Sequence, residues 1–183
     1  WSFFFPITDH LLPITVFSMR ILLIGSGGRE HALAWKLSQC ESVSAILCPN
    51  GNPGIAQFAD TSRREISTPG DWASFARDHR CDLVVIGPEA PLDAGVADAF
   101  QSAGVPVFGP VKAGARIESS KAWSKEVMLA AGIPTARAEI FSDANAAKDF
   151  ADQLGLPVVT KADGLAAGKG VTVATTREEA HAA

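Results

Sequence analysis

Residues 20–39 are RILLIGSGGREHALAWKLSQ, in which an apolar run, a glycine-rich turn and a segment of helix formers follow one another directly. A short apolar run that ends at glycine predicts a buried β-strand. The helix formers after the turn offer Leu33, Trp35 and Leu37 to a core. A strand, a turn and a helix in this order are the first half of a βαβ unit. The stretch therefore predicts an α/β domain with a mostly parallel sheet.

The same alternation continues to about residue 119. Asp71 is expected to cap a helix at 71–79, and Gly104 is expected to end a helix at 92–103. Because strands keep alternating with helices, we predict one parallel-sheet domain over residues 19–119. The predicted strands lie at 44–48, 82–87 and 105–108, and the predicted helices lie at 71–79 and 92–103.

The pattern changes after Ser119. Two apolar runs near the end of the chain flank a glycine-rich segment, which predicts strand–loop–strand instead of strand–loop–helix. The last eight residues, TREEAHAA, predict a helix that the chain does not complete. We therefore expect residues 120–183 to be the incomplete start of a second domain. Its other predicted elements are helices at 120–131 and 143–154 and strands at 138–141, 157–161 and 171–174.

The first 18 residues, WSFFFPITDHLLPITVFS, differ in character from the rest of the chain. They begin with Trp1, and the segment is too short and too interrupted by proline to span a bilayer. A secretory signal is disfavoured because no basic segment precedes the apolar one. We interpret residues 1–18 as upstream sequence joined to a start at Met19, and a short apolar targeting extension is the alternative.

Composition excludes several classes of protein. The net charge of −4 and the pI near 5.5 disfavour a nucleic-acid-binding protein, which usually presents a basic face. The three cysteines form no C-x-x-C pair, so neither a disulfide framework nor a zinc site is predicted. A reducing, cytoplasmic setting fits this cysteine usage. We expect no membrane and no nucleic-acid partner.

The first chemical motif is the turn between the first strand and the first helix, Gly25-Ser26-Gly27-Gly28-Arg29-Glu30. Glycines let the backbone approach an anion, and a helix N-terminus offers free N–H groups and partial positive charge. A dinucleotide-binding fingerprint is disfavoured because Glu30 replaces the last glycine of G-x-G-x-x-G. The alternative is a tight turn without a ligand, but Arg29 beside the glycines favours phosphate.

The second motif is GPEAPL at 87–92, at the end of a predicted parallel strand, where ligands of open α/β sheets bind. Two prolines stiffen this turn around Glu89, whose carboxylate suits sugar hydroxyls or an amine. The alternative is a helix entry in which Glu89 only favours the helix dipole. The loop NGNPG at 50–54 follows the second strand at the same edge and is expected to meet the same ligand.

The third motif is KADGLAAGKGV at 161–171. It is not a Walker A loop, because Gly170 follows Lys169 and a strand follows the loop. A glycine hairpin can surround a triphosphate with N–H groups, while Lys161 and Lys169 neutralise phosphate oxygens. A hairpin tip with two solvated lysines is the alternative.

Together these segments resemble the phosphoribosylamine–glycine ligase family of ATP-grasp enzymes. The resemblance implies an α/β chain with an N-terminal Rossmann-like (pre-ATP-grasp) parallel-sheet domain, followed by the truncated start of an ATP-grasp domain. Thr160 departs from the pattern, because the family usually carries an aliphatic residue there. The segments that carry the resemblance are LLIGSGGREHALAWKL, PNGNPGIA, VVIGPEAPLDAGV, VFGP, ESSKAWSKEVM, GIPTA and VTKADGLAAGKGV.

The resemblance also implies roles for individual residues. Seven are implied to face phosphoribosylamine: Gly27, Gly28, Arg29, Glu30, Asn52, Glu89 and Pro91. Six are implied to contact ATP: Lys121, Lys161, Gly164, Gly168, Lys169 and Gly170. Of these, Lys161 and Lys169 are the expected catalytic residues.

The activity implied by the resemblance is ligation of glycine to 5-phosphoribosylamine through glycyl phosphate in purine (IMP) biosynthesis, with ATP as co-substrate. Mg²⁺ or Mn²⁺ is implied too, with ligands beyond residue 183, so no metal ligand is assigned. The full-length enzyme is expected to be a monomer, and this fragment alone is expected to be inactive. Two alternatives are a non-catalytic sugar-phosphate or nucleotide-binding module and an NAD(P)-binding domain.

Overall fold

The computed structural model describes residues 18–166 and 169–183, so the predicted extension at 1–18 lies almost wholly outside the described residues. The strands are β1 (Met19–Ile24), β2 (Val43–Leu47), β3 (Leu83–Ile86), β4 (Val107–Phe108), β5 (Val158–Lys161) and β6 (Val171–Ala174). The helices are α1 (Gly28–Leu37), α2 (Pro69–Asp78), α3 (Glu89–Asp93), α4 (Val96–Ser102), α5 (Lys112–Ser119), α6 (Lys121–Ala130), α7 (Ala144–Leu154) and α8 (Arg177–Ala182).

The first four strands form one parallel sheet in the order β2-β1-β3-β4. Strand β1 lies in the interior of this sheet, and its last four residues, Ile21 to Ile24, are at most 2% exposed. Since successive side chains of a strand point to opposite faces, both faces of β1 must be covered. Leu22 and Ile24 pack in one cluster with Phe100 of α4, while Ile21 and Leu23 pack in another with Ala34 of α1.

The predicted α/β class and the parallel sheet are confirmed, but two details of the helices were wrong. Helix α2 is capped by Thr68, whose hydroxyl accepts a hydrogen bond from the Asp71 N–H, and not by Asp71 itself. The helix predicted at 92–103 is two helices, because Gly95 adopts a left-handed conformation (φ 87°) between α3 and α4. Helix α5 was not predicted, and it buries only Ala115 and Ser119.

The second region, residues 120–183, contains α6, α7, the antiparallel hairpin β5–β6 and α8. Its described core is small, with Val158, Ala174 and Ala180 buried between the hairpin and the two last helices. The strand predicted at 138–141 was wrong, because that segment is irregular and no described strand pairs with it. A strand gains its stability from hydrogen bonds to a neighbour, so apolar composition alone does not produce one.

The hairpin β5–β6 confirms the predicted strand–loop–strand arrangement around the glycine-rich segment. Lys161 at the end of β5 pairs with Val171 at the start of β6, so the segment between them joins two adjacent strand ends. None of the helices described in residues 18–166 and 169–183 is long and apolar enough to cross a membrane.

Candidate active site

The turn between β1 and α1, here called the glycine turn (residues 25–28), lies at the carboxyl edge of the parallel sheet. Gly27 and Gly28 are exposed, and no heavy atom lies within 4 Å of the position that a Gly28 Cβ would occupy. Helix α1 begins at Gly28 and is 10 residues long, so its free N–H groups and dipole point at this open space. The local geometry therefore suits an anion.

Glu30 lies beneath the glycine turn. Its side chain is 3% exposed, and its Oε2 accepts a hydrogen bond from the Gly27 N–H over 2.7 Å. A Cβ at Gly25 would lie 2.5 Å from Glu30 Cγ, and a Cβ at Gly87 would overlap the carboxylate. Glu30 Oε1 has no hydrogen-bond partner among the described residues. The buried Glu30 side chain therefore supports the conformation of the glycine turn. Its predicted contact with the substrate stays a prediction.

Arg29 links the glycine turn to the turn after β3. Its Nη1 donates to the Gly87 carbonyl over 2.6 Å and lies 3.6 Å from Glu89 Oε2. Both side chains of this ion pair are substantially exposed, at 64% and 45%. An ion pair this exposed contributes at most about 1 kcal/mol. The pair therefore orients two charged groups at the sheet edge without burying them. Pro91 lies in the same first turn of α3 as Glu89.

Asn52 brings the loop after β2 against the glycine turn. Its Nδ2 donates to the Ser26 carbonyl over 2.9 Å, and its Oδ1 accepts from the Ile55 N–H over 3.0 Å. The three predicted segments of the sheet edge, around Gly27, Asn52 and Glu89, are thus neighbours in the structure.

The loop between β5 and β6, here called the glycine-rich loop (residues 162–170), is closed at its base. The Ala162 N–H donates to the Gly170 carbonyl over 2.8 Å, and Gly164 adopts a positive φ of 90°. Lys161 and Lys169 are both exposed, so their ammonium groups are accessible. Gly168, predicted to contact ATP, lies outside the described residues together with Ala167.

Lys121 connects helix α6 to the glycine-rich loop. It is the first residue of α6, and its Nζ donates to the Gly164 carbonyl over 2.7 Å. These two residues are 43 positions apart in the sequence. Nothing in the local sequence distinguishes Lys121 from a surface lysine, and the structure places its ammonium group at the loop.

Asp163 is a residue that sequence reasoning did not single out. Its Oδ1 accepts from the Ala122 N–H and its Oδ2 from the Ser120 hydroxyl, each over 3.2 Å. The hydrogen bond from Ala122, supported by those from Gly164 and Ser120, holds the pKa of Asp163 below its usual value. The carboxylate is therefore ionised at neutral pH and lies at the positive end of α6.

Cys48 is buried beside the glycine turn and donates its thiol hydrogen to the Gly25 carbonyl over 3.2 Å. Burial, followed by the charge of Glu30, raises the pKa of Cys48 to about 11. A thiol with this pKa stays protonated at neutral pH, so it is a poor nucleophile. Chemistry at this site therefore depends on binding and charge, and not on a thiolate.

The described residues do not offer a metal site. No group of three or more His, Cys, Asp or Glu side chains within residues 18–166 and 169–183 is arranged to hold an ion. The one carboxylate at the glycine-rich loop, Asp163, is already engaged by Ser120 and Ala122. Mg²⁺ prefers several oxygen ligands, a set that these residues do not provide.

Both parts of the chain match known family domains. Residues 19–118 match the phosphoribosylglycinamide synthetase N domain, and residues 119–183 match the phosphoribosylglycinamide synthetase ATP-grasp (A) domain. Among curated relatives, the chain is 50% identical over 167 residues to a phosphoribosylamine–glycine ligase from Nostoc sp.. It is 51% identical over 165 residues to one from Agrobacterium fabrum. Each alignment covers 90% of this chain, but the chain spans only 39% of the length of these relatives.

Solved structures agree with the fold. A crystal structure of phosphoribosylamine–glycine ligase from Thermotoga maritima matches with a TM-score of 0.69 and 29% identity, covering 89% of this chain and 38% of that one. The biotin carboxylase domain of Hydrogenobacter thermophilus 2-oxoglutarate carboxylase, solved with MgADP, also gives a TM-score of 0.69. That match covers 88% of this chain and 38% of the other at 21% identity, so it supports the fold alone.

Proposed function

Because this chain belongs to the phosphoribosylglycinamide synthetase family, we propose that it is the N-terminal part of an ATP-dependent ligase that joins glycine to 5-phosphoribosylamine. The observation that carries the proposal is the contact of Lys121 with Gly164, which brings a third lysine to a loop that already bears Lys161 and Lys169. Such a concentration of cations and glycine backbone at one loop suits a triphosphate.

We assign phosphoribosylamine to the sheet edge. The N–H group of Gly28 at the start of α1 is suited to the 5-phosphate, Gly27 lets the backbone approach it, and Arg29 adds a positive charge next to them. Glu89 is suited to ribose hydroxyls or to the amine, with Asn52 and Pro91 shaping the loops on either side. Glu30 supports this arrangement from below through its bond to the Gly27 N–H.

We assign ATP to the glycine-rich loop. Lys121, Lys161 and Lys169 are proposed to neutralise phosphate oxygens, and Gly164 and Gly170 are proposed to offer backbone N–H groups. Gly168, which lies outside the described residues, is assigned to ATP with them. Lys161 and Lys169 are the proposed catalytic residues, because positive charge near the transferring γ-phosphoryl group stabilises the transition state. Lys161 is held on a strand end, while Lys169 belongs to the loop itself.

The proposed reaction has two steps. A carboxylate oxygen of glycine attacks the γ-phosphorus of ATP, the bond to the β,γ-bridging oxygen breaks, and glycyl phosphate and ADP result. The phosphoribosylamine nitrogen then attacks the acyl carbon, loses a proton, and expels inorganic phosphate, giving glycinamide ribonucleotide. Exclusion of water by the glycine-rich loop would protect the acyl phosphate from hydrolysis. A divalent cation, Mg²⁺ or Mn²⁺, would offset phosphate charge when bound, with ligands outside this chain.

Further proposals complete this assignment. We place the boundary between the phosphoribosylamine-binding domain and the ATP-grasp domain after Ser119, and we propose a cytoplasmic, monomeric full-length enzyme in purine synthesis. The absence of paired cysteines in the sequence supports the reducing compartment. The 183-residue chain alone is proposed to be inactive, since it spans only 39% of the length of the curated relatives that it matches.

The test is ligase activity of the complete coding sequence that contains this chain. ADP release should require both glycine and phosphoribosylamine, and Lys161→Ala or Lys169→Ala should lower kcat by about 100-fold or more, as loss of a charge at a transferring phosphoryl group does. Lys36→Ala is the matched control, because Lys36 is an exposed lysine on α1, far along the chain from the loop. Near-normal turnover in both loop variants would overturn the assignment of the two lysines.

The second candidate is a sugar-phosphate-binding module without catalysis. The open space above Gly28 at the start of α1 favours it, because this anion site is built wholly from residues before 119. Calorimetric titration of the complete protein with ribose 5-phosphate separates the two candidates. Binding without any ADP release under full substrate conditions would favour the module over the ligase.

A further inference from the structure

Asp163 ties the glycine-rich loop to the junction of the two regions. Its carboxylate receives the Ala122 N–H and the Ser120 hydroxyl, and these partners are 41 and 43 residues away in the sequence. Lys121, between them, donates to the carbonyl of the next loop residue, Gly164. Three successive residues of the α6 N-terminus therefore hold two successive residues of the loop.

Ser120 is also the point where α5 ends and α6 begins. Its N–H donates to the Arg116 carbonyl, which closes α5, and its hydroxyl accepts from the Trp123 N–H, which caps α6. The Arg116 guanidinium lies 5.0 Å from the centre of the Trp123 ring across the same junction. The Ser120 hydroxyl donates its hydrogen to Asp163, so the N–H and the hydroxyl of Ser120 both serve this junction.

We propose that Asp163 is a positioning residue that latches the glycine-rich loop onto the α5–α6 junction, so that the loop and Lys121 are held in register for nucleotide binding. The inference rests on the proposed function, since it assumes that the loop binds a nucleoside triphosphate. The role assigned to Asp163 is structural, because each of its carboxylate oxygens accepts a hydrogen bond from the α5–α6 junction. The negative charge of Asp163 interacts favourably with the positive end of the α6 dipole. Lys161 and Lys169 are therefore not required to neutralise Asp163 and can bind phosphate.

The latch reduces the entropy that the loop loses when a nucleotide binds. A loop whose base is already fixed has fewer conformations to give up, and this gain appears as affinity. Removal of the latch should therefore weaken nucleotide binding more than it slows the chemical step. Phosphoribosylamine, assigned to the sheet edge, should bind as before.

The experiment compares Asp163→Ala with the matched control Asp143→Ala in the complete protein. Asp143 is also an exposed aspartate that caps a helix of the second region, accepting from the Ala146 N–H over 2.8 Å. Among the described residues, it makes no side-chain hydrogen bond to the loop. Asp163→Ala is expected to raise the KM for ATP about tenfold, the effect of losing one charge-assisted hydrogen bond. Its KM for phosphoribosylamine should change less than about twofold, and Asp143→Ala should change neither KM.

A conservative variant and a second measurement keep the test decisive. Asp163→Asn keeps an oxygen acceptor for the Ala122 N–H and should recover part of the ATP affinity, so it also serves if Asp163→Ala does not fold. Amide hydrogen exchange of residues 120–123 and 161–171 should accelerate in Asp163→Ala and not in Asp143→Ala. This readout does not require ligase activity.

The outcomes separate the latch from the proposed function. An unmodified enzyme without ligase activity would overturn the proposed function, while exchange in the loop and direct ATP titration would still decide the latch. Equal ATP affinity and equal loop exchange in the Asp163 and Asp143 variants would overturn the latch, even in an active ligase. A general loss of thermal stability in both variants, with no selective change for ATP, would show that Asp163 is only a helix cap.

Discussion

The parallel sheet of residues 19–119 and the hairpin of residues 120–183 are held by different forces. In the sheet, β1 is covered on both faces, and residues Ile21 to Ile24 are almost completely buried. In the hairpin, Val158 and Ala174 are buried, but Val159 is 47% exposed and Val173 is 63% exposed. Side-chain hydrogen bonds, such as those from Ser120 to Asp163 and from Arg177 to Asp152, also connect the elements of this second region.

This difference has a functional meaning. The proposed phosphoribosylamine site borders a close-packed core, and the buried Glu30 side chain fills the space under the glycine turn, so we expect that site to be rigid. The proposed nucleotide site is a loop on a hairpin with one covered face, fixed by a few hydrogen bonds. Regions with few buried apolar contacts open at low free-energy cost. We therefore expect the substrate turn to be preformed and the nucleotide loop to be adjustable.

The largest expected effect comes from truncating the core of the first region. Phe100→Ala removes a fully buried ring on α4 and should lower the free energy of unfolding by about 3–5 kcal/mol. Val173→Ala, at a position 63% exposed, should change it by no more than about 0.5 kcal/mol. Chemical denaturation, followed separately in the two regions by hydrogen exchange, measures both. Similar losses for the two variants would contradict the contrast between the regions.

A smaller effect is expected from filling the space occupied by Glu30. Gly87→Ala would place a methyl group against the Glu30 carboxylate and should cost about 1–3 kcal/mol through overpacking. Gly70→Ala is the control, because its Cβ would lie 3.7 Å from the nearest neighbour, Thr68 Oγ1, within helix α2. That change should be neutral or mildly stabilising. If Thermofluor melting showed the two variants to be equally stable, Glu30 would not be a rigid wedge.

The smallest effect should be a loss of stability in the second region, residues 120–183, when the pH is lowered. Hydrogen bonds from Arg177, followed by that from His181, lower the pKa of Asp152 and join α7 to α8. Because the folded-state pKa lies below the unfolded value of about 3.9, this contribution is present above that value. It is lost as the pH falls through the folded-state pKa.

Hydrogen exchange of α7 and α8 between pH 6 and pH 3 checks this expectation, with rates corrected for the intrinsic effect of pH. Protection should fall towards the acid end in the unmodified protein. Asp152→Asn should show lower protection at pH 6 and a flatter pH dependence. A pH profile that this substitution leaves unchanged would show that the cluster does not stabilise the second region.

Local pattern was sufficient for the six described strands and for most of the described helices. The apolar run at β1 and the β5–β6 hairpin were predicted because each is a short apolar segment bounded by glycine or proline. Prediction failed where a strand needed a neighbouring strand or where a helix buries few residues. The segment 138–141 is apolar but has no described neighbour strand, and α5 buries only Ala115 and Ser119.

The candidate site divides in the same way. The glycine spacing, Arg29, Lys161 and Lys169 could be recognised in the sequence, because residue type and local spacing are enough to predict a phosphate-binding motif. Asp163 was not visible. An aspartate next to glycine in a loop is common, and its partners Ser120 and Ala122 are more than 40 residues away.

The sequence by itself determined the alternation of strands and helices, the glycine turn, the glycine-rich loop and the family, since periodicity and motif spacing are local properties. Only the tertiary structure decided that Glu30 is buried under the turn, and that Asp163 joins the loop to α6. Burial and long-range hydrogen bonds depend on which surfaces meet when the chain folds. That meeting is set by the packing of whole elements, which no single stretch of residues encodes.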